Sequence, residues 1–163
     1  MKGIIINKNK KYNYILLNLH QFVKWIENNE KIKKSIENIV SIHRQQNNFN
    51  IVDLIYEAFE ELNKNTYYFF IYKNNTIITS SRIIIDKKKN AYIDLVHTCD
   101  KYRNLGFCKK NIKKLLLLIK NKYKKVTLEI NKSNTNAIKC YMDSGFTFSK
   151  INKNVDFYRM IYN

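Results

Sequence analysis

The chain has 163 residues, of which 45% are hydrophobic, and a formal net charge of +17. This length and apolar content predict one domain with a real hydrophobic core and exclude a disordered chain. No apolar run is long enough for a signal peptide or a membrane span, so we expect no membrane as a partner.

The positive charge alone would point to nucleic acid or another anionic surface. However, the chain has no proline and only three glycines, and it is rich in lysine, asparagine, isoleucine and tyrosine, which have A/T-rich codons. Its arginines are Arg44, Arg82, Arg103 and Arg159. Because specific readers of phosphates and bases depend on arginine forks, scattered lysine indicates a solvated surface, and we do not expect nucleic acid as the primary partner.

The cysteines are Cys99, Cys108 and Cys140, an odd number without a Cys-x-x-Cys pair. We therefore interpret each as a small buried apolar side chain in a cytoplasmic or other reducing compartment. Together with His20, His43 and His97 they are too few and too widely spaced for a zinc site, so no metal is expected.

Along the chain, apolar residues first recur at helical intervals, from Tyr14 to Leu62, which predicts three helices. The second helix includes Ile32 to Val40, and the third begins after Asn50 as its cap. A short strand from Gly3 to Ile6 is also possible, although Tyr12 to Leu19 competes for that role.

After Asn65 the composition changes to aromatic and β-branched runs that predict strands joined first by turns and then by helices. The predicted elements are strands Tyr67–Tyr72, Thr76–Ile85 and Tyr92–Thr98, helix Ile112–Tyr123, strand Val126–Ile130, helix Asn134–Ser144, and strands Phe146–Ile151 and Val155–Tyr162. This order predicts an α+β (mixed α/β) fold: a central mixed, mostly antiparallel sheet flanked by helices, with a helical N-terminal segment.

A glycine-bearing turn, Arg103 to Cys108, separates the strand that ends at Thr98 from the helix that follows. In a strand-turn-helix arrangement, several backbone N–H groups converge at the positive end of the helix. The main chain of Asn104, Leu105, Gly106, Phe107 and Cys108 is therefore predicted to hold a phosphate.

A second motif lies downstream, and the two together resemble the GNAT superfamily of acetyl-CoA-dependent N-acetyltransferases. The first matches its phosphate loop, in which Arg or Gln is followed by two residues, Gly, one residue, then Gly or Ala. The second is similar to the branch that acetylates protein N-termini, including ribosomal-protein alanine acetyltransferases; its matching residues are Leu128, Glu129, Ile130, Ser133, Asn134, Ala137, Tyr141, Gly145 and Phe146.

The resemblance covers roughly residues 66 to 163, whereas residues 1 to 65 match no known pattern. It departs from the family at Cys108, which replaces the small residue that lets the backbone approach the diphosphate, so the sulfur either crowds the loop or points away. The resemblance implies one acetyltransferase domain over 1–163. Residues 1–65 would lie on the acceptor side, and 66–163 would hold acetyl-CoA.

The resemblance implies that the amides of residues 104–108 take the diphosphate of acetyl-CoA, with Arg103 opening the loop. The pantetheine arm would pair with Val96, His97 and Thr98 as an added strand. Asn134 would hydrogen-bond the arm, cap its own helix, or do both. Lys109, Lys110, Lys113 and Lys114 would attract the anionic cofactor or simply form the solvated face of the helix.

For catalysis, Glu129 stands apart because Val126, Leu128 and Ile130 alternate toward one side of their strand. In the family it resembles, the matching Glu is the general base; the alternative is an exposed edge carboxylate or one paired with a lysine. Tyr141 matches the tyrosine that protonates the departing thiolate, and its ordinary pKa of about 10 suits that role. His97 is a spare base or a structural histidine.

The sequence thus predicts an N-acetyltransferase in which an amine attacks the thioester directly, without an acetylated Cys108 or Cys140. The expected acceptor is a protein or peptide N-terminus of neutral or acidic context, because a positive surface repels basic acceptors. Three alternatives stay open: a small-molecule amine acetyltransferase, a CoA binder without turnover, and a basic nucleic-acid-associated protein that uses the fold as a scaffold.

Overall fold

The computed structural model describes the backbone of residues 4–8, 11–47, 65–119, 122–149 and 156–162, and the side chains of these ranges except 4–8 and 40–47. The predicted third helix, from Ile51 to Leu62 with Asn50 as its cap, lies outside the described residues.

One sheet forms the centre of the molecule. Its strands are β1 (Ile4–Lys8), β2 (Asn13–Asn18), β3 (Thr66–Lys73), β4 (Thr76–Ile85), β5 (Asn90–Thr98), β6 (Lys125–Asn131), β7 (Thr147–Phe148) and β8 (Phe157–Tyr162). The spatial order is β1-β2-β3-β4-β5-β6-β8-β7, and only β5 and β6 run parallel. The predicted mixed, mostly antiparallel sheet is confirmed.

Helices cover the two faces of the sheet. They are α1 (Leu19–Glu27), α2 (Glu30–Asn47), α3 (Phe107–Ile119) and α4 (Thr135–Met142). One core joins α3 and Tyr141 of α4 to Phe69, Ile83 and Leu128 of the sheet. The other joins α1 and α2 to the opposite face, through residues such as Phe70. Alternation along each strand therefore decides which helices a side chain meets.

The N-terminal prediction was partly wrong. The helix predicted from Tyr14 begins only at Leu19, with Asn18 and Gln21 in a reciprocal capping box, and the two segments considered as alternative strands are both strands, β1 and β2. Tyr14 to Leu17 are all buried, because β2 lies inside the sheet between β1 and β3 with both faces covered. A fully buried strand has no alternation, so periodicity does not separate it from a helix.

The hairpin between β3 and β4 turns as the sequence predicts. Asn74 and Asn75 both have positive φ, 48° and 57°, and Lys73 pairs with Thr76. Two consecutive left-handed residues are the requirement of a tight hairpin turn, and asparagine tolerates that conformation better than most residues.

The helix after the predicted phosphate loop begins earlier than expected, because α3 starts at Phe107 rather than near Ile112. Tyr123 lies beyond its end and packs on the core from the following segment. In the described part of the chain, no helix combines the length and apolarity needed to cross a membrane.

Candidate active site

The predicted phosphate loop is a turn with two left-handed residues that runs directly into α3. Asn104 and Gly106 have φ of 59° and 76°, and a Cβ placed on Gly106 would meet no atom within 4 Å. Within the described ranges, the N–H groups of residues 104–109 donate no close hydrogen bond to a backbone carbonyl. N–H groups without a close main-chain acceptor, next to a glycine with free space around it and at the positive end of a helix, suit an anionic ligand.

The sheet splits beside this loop. β5 and β6 pair only from Asn90↔Lys125 to Ile93↔Leu128. Past that point β5 stays paired with β4, but a bulge sets two of its residues, Leu95 and Val96, opposite Ser81. Leu95 has a φ of 46°, which is unusual for a bulky residue and typical of functional sites. Beyond Ile93 and Leu128, a gap therefore separates β5 from β6, and the edge of β5 that faces this gap consists of main-chain groups not paired with β6.

The strand residues predicted to bind the cofactor have side chains held by the fold. Val96 packs against the core, and His97 is only 5% exposed. Thr98 donates to the hydroxyl of Thr79 over 3.3 Å, and that hydroxyl donates to the His97 carbonyl over 2.6 Å. Recognition at these positions therefore falls to the main chain facing the gap.

Glu129 is the first residue of β6 beyond its pairing with β5. Its carboxylate Oε1 accepts a hydrogen bond from Nε of Arg159, on the neighbouring strand β8, over 3.0 Å, and Nη2 of the same guanidinium lies 2.8 Å from that oxygen in an ion pair. Both side chains are half-exposed. Of the two alternatives for this residue, an exposed edge carboxylate or one paired with a lysine, the first agrees with its exposure and with the unpaired edge of β6 at this point, whereas the ion-pair partner is an arginine and not a lysine.

Tyr141 lies on α4 with 5% of its surface exposed, and its ring centroid is 6.1 Å from that of Phe146. Burial raises the pKa of its phenol above the ordinary value, with smaller contributions from Tyr92 and Asp94 on β5. The phenol is therefore neutral at physiological pH, and Tyr141 belongs to the same core as Ile93 and Leu128, the last residues of β5 and β6 that pair before the gap. Asn134 caps α4 by accepting from the Ala137 N–H over 3.1 Å.

Sequence reasoning missed a second ion pair beside the gap. Arg82 donates to both carboxylate oxygens of Asp94, over 2.9 Å and 2.7 Å, and their side chains are only 11% and 20% exposed. Burial, together with the charges of Asp94 and Glu129, raises the pKa of nearby Tyr92 to about 12. A signal did exist: opposite charges inside two apolar strands that are neighbours in a predicted meander indicate a cross-strand pair.

Both ion pairs share one face of the sheet. Ile83, Ile93 and Leu128 belong to the core under α3, so the residues next to them in sequence, Arg82, Asp94 and Glu129, point to the opposite face. Two carboxylates balanced by two arginines make this stretch locally neutral in a chain of net charge +17.

The prediction of three free cysteines was wrong for two of them. Cys108 and Cys140 form a disulfide, with Cα atoms 6.3 Å apart, and only Cys99 is free in the described residues. The first turn of α3 packs against α4, which brings together positions that are 32 residues apart in sequence. The Cys108 sulfur therefore points toward α4, away from crowding the loop, and the reducing compartment inferred from free thiols stays a prediction.

The lysines at the start of α3 lie along its outer side. Lys109 pairs with Asp143 over 3.2 Å, whereas Lys110 lies 4.9 Å from the ring centroid of Tyr12 and Lys114 5.7 Å from that of Tyr14. These exposed contacts are weak, so they leave the lysines able to attract an anion near the loop.

Solved structures with this fold include acetyltransferases of several substrate types. A GNAT acetyltransferase from Staphylococcus aureus Mu50 is 20% identical, with 93% of this chain and 98% of that chain covered at a TM-score of 0.68. Vibrio cholerae spermidine N-acetyltransferase is 19% identical (94% and 95% covered, TM-score 0.61). The Escherichia coli ribosomal-protein-S18-alanine N-acetyltransferase is also 19% identical (61% and 69% covered, TM-score 0.54). At these identities the similarity establishes the fold alone.

No curated protein shows significant similarity to the sequence. The sequence model described as "Acetyltransferase (GNAT) family" matches residues 36–146, well over half of the chain. It includes the loop, the gap, Glu129 and Tyr141, and it reaches back into the segment for which no resemblance was predicted. The prediction of an acyltransferase is thereby confirmed, and the chain belongs to the acetyltransferase (GNAT) family.

Proposed function

We propose that this enzyme transfers the acetyl group of acetyl-CoA, its co-substrate, to the N-terminal amine of a protein or peptide. The observation that carries the proposal is the gap between β5 and β6, which has the open loop at one end and Glu129 and Tyr141 beside it. An extended thioester ligand would place its reacting carbon between a carboxylate and a neutral phenol.

The donor would be held mainly by the main chain. The N–H groups of residues 104–108 lie at the N-terminal, positive end of α3, where they would suit the diphosphate. The exposed edge of β5 at residues 96–98 suits an arm bearing amides, which would extend the sheet at the gap. Asn134 keeps its amide nitrogen available while its oxygen caps α4.

Glu129 would act as the general base. It removes a proton from the acceptor ammonium, directly or through water, and the free amine then attacks the thioester carbonyl carbon. The nitrogen of the tetrahedral adduct gives up a second proton to solvent, and collapse of the adduct breaks the carbon–sulfur bond and leaves the neutral amide. Because Arg159 contacts only Oε1, the acceptor reaches the base either at Oε2, next to the guanidinium, or by replacing Arg159 at Oε1.

Tyr141 would act as the general acid. Its raised pKa keeps the phenol protonated, and its hydroxyl makes no hydrogen bond to another described residue. A buried neutral donor close to the leaving sulfur can protonate the thiolate as the bond breaks, and CoA then leaves as the thiol.

Solved structures of this fold include both a spermidine and a ribosomal-protein alanine acetyltransferase, so the acceptor is argued from this chain's own residues. Two features favour a peptide amine. The spacing from Leu128 to Phe146 resembles that of the N-terminal branch, and Asp94 and Glu129, the carboxylates beside the gap in the described part of the chain, are both paired with arginines. A polycation such as spermidine would need acidic groups that are not already paired.

The proposal is tested by measuring CoA release from acetyl-CoA with a panel of unblocked peptides, the same peptides with blocked N-termini, and spermidine. We expect turnover only with free N-termini and a mass gain of one acetyl group on the α-amine. Turnover with spermidine alone would favour the small-molecule alternative, and acetyl-CoA binding without any turnover would favour a CoA binder.

A further inference from the structure

We propose that Arg159 determines acceptor specificity by binding a carboxylate that lies next to the acceptor amine. The acceptors would then be peptide N-termini with an acidic residue among their first two positions. This inference rests on the proposed function, and it names the class of peptide that the same site would select.

The first step is the position of the ion pair. Glu129 and Arg159 are cross-strand partners, and Glu129 lies where β6 leaves β5. The guanidinium therefore lies beside the point where β6 leaves β5, which an amine must approach to reach the thioester. Any acceptor that uses Glu129 as its base comes close to Arg159, because the two side chains are in contact.

The second step concerns charge. One oxygen of the Glu129 carboxylate, Oε1, already lies 2.8 Å from the guanidinium of Arg159. An ammonium without a carboxylate of its own would therefore be repelled by Arg159 as well as attracted by Glu129. An acceptor with its own carboxylate avoids this conflict. Its ammonium takes the place of Arg159 at Glu129, and its carboxylate takes the place of Glu129 at Arg159, so every charge keeps a partner.

The third step is that this pair, unlike its neighbour, can open. The side chains of Arg159 and Glu129 are 49% and 36% exposed, and pairs with that exposure stabilise a fold very little. Arg82 and Asp94 are 11% and 20% exposed, and separating them would leave buried charges without partners. The exchange is therefore expected at Arg159 and not at Arg82.

The test uses three peptides that differ only at the second position, which is Asp, Asn or Lys. For the wild-type enzyme we expect kcat/KM to be highest for Asp, to fall about tenfold for Asn, and to fall further for Lys, since a charged hydrogen bond is lost and then replaced by repulsion. Arg159→Gln should equalise Asp and Asn, mainly through KM, and Arg159→Glu should reverse the order in favour of Lys.

Lys125→Gln is the matched control. It removes the same charge from the exposed start of β6, away from the pair, and it should keep the wild-type order of peptides. If Arg159→Gln does not fold, Arg159→Lys replaces it; this variant keeps the charge without the forked contact and should still prefer Asp, with a higher KM. An unchanged KM for Asp in that variant would overturn the inference.

The same measurements separate the two levels of the proposal. Equal kcat/KM for the three peptides in the wild type would overturn the role of Arg159 and leave the N-terminal acetyltransferase intact. Turnover of spermidine with no peptide acetylated would overturn both the proposed acceptor and the inference. If acetyl-CoA does not change the melting temperature of the protein, the proposed function itself is wrong.

Discussion

In the proposed mechanism, Glu129 is the residue on which the chemistry depends most directly. We expect Glu129→Gln to lower kcat by a factor of about 10² to 10⁴, the usual contribution of a general base, with little change in acetyl-CoA affinity. The assay is CoA release at saturating peptide. Because the substitution also breaks the contact with Arg159, the comparison variant is Arg159→Gln, which breaks the same contact but keeps the carboxylate. If both variants have the same kcat, the carboxylate has no catalytic role of its own.

Tyr141→Phe removes only the hydroxyl of a buried ring. Since that hydroxyl bonds to no other described residue, we expect the melting temperature to stay close to that of the wild type while kcat falls by a factor of about 10² or more. Tyr162→Phe is the matched control, because Tyr162 packs against the same core and has no assigned role. Full activity in Tyr141→Phe would assign thiolate protonation to another group.

The burial of Tyr141 also has a consequence for stability at alkaline pH. Its pKa is raised in the folded state, so its contribution is complete below the unfolded pKa of about 10 and is lost as pH rises toward the folded value. Above pH 10 the unfolded chain ionises first, which lowers the free energy of unfolding by up to about 1.4 kcal/mol per pH unit.

We therefore expect the melting temperature to fall between about pH 9 and about pH 11, and to fall less in Tyr141→Phe, which has no phenol to ionise. Lysine deprotonation affects both proteins equally and cancels in the comparison. Identical losses in the two proteins would show that the Tyr141 phenol ionises as readily in the folded chain as in the unfolded one.

Among the secondary-structure elements, α3 and α4 are joined covalently by Cys108–Cys140. A cross-link that closes a loop of 32 residues stabilises the folded state by about 3–4 kcal/mol on a chain-entropy basis. We expect a reductant, or the double substitution Cys108→Ser with Cys140→Ser, to lower the free energy of unfolding by about that amount and to weaken acetyl-CoA binding, because Cys108 ends the phosphate loop. Equilibrium denaturation and a binding titration, each with and without reductant, measure both.

Cys99→Ser is the control for that experiment, since this thiol donates to the Ile77 carbonyl and takes no part in the bond. Its stability should respond to reductant as the wild type does, whereas the double variant should not respond. Titration of three thiols in the unreduced, unfolded protein would contradict the disulfide.

The elements that the sequence predicted well are those with clear composition and turn signals. Aromatic and β-branched runs separated by turns predict β3, β4 and β5 almost to their ends, and the apolar spacing predicts that α2 and α3 exist, although α3 begins and ends earlier than expected. The error at β2 has a physical cause: Tyr14 to Leu17 are apolar on both faces, and such a run suits a buried strand as well as a helix.

The residues of the candidate site differ in how far the sequence indicates them. The loop, Glu129 and Tyr141 belong to motifs whose members are close in sequence, so the family resemblance that those motifs carry was enough to indicate them. Arg159 and the Arg82–Asp94 pair are defined by strand register, and Cys108 meets Cys140 only through helix packing. Contacts between residues far apart in the chain depend on the completed fold, which a local pattern does not specify.

At the scale of the whole molecule, the proposed function gives the charge of +17 and the ion pairs beside the gap different roles. Lysines on the surface and along α3 would attract CoA, which carries several phosphate charges, whereas the paired carboxylates and arginines would select the acceptor. Attraction of the first kind is screened by salt, but contacts inside a loop and a gap are screened much less.

This difference separates an acetyltransferase from a basic nucleic-acid-associated protein. Acetyl-CoA at about 100 times its dissociation constant should stabilise the fold by about 2.7 kcal/mol, and most of the resulting shift in melting temperature should remain between about 50 mM and about 200 mM salt. Single- and double-stranded DNA should give shifts that largely vanish over the same range, because scattered lysines release counterions without making specific contacts. A DNA-induced shift that persists at the higher salt, with none from acetyl-CoA, would mean that the basic surface is the functional one and that the acetyltransferase fold serves as its scaffold.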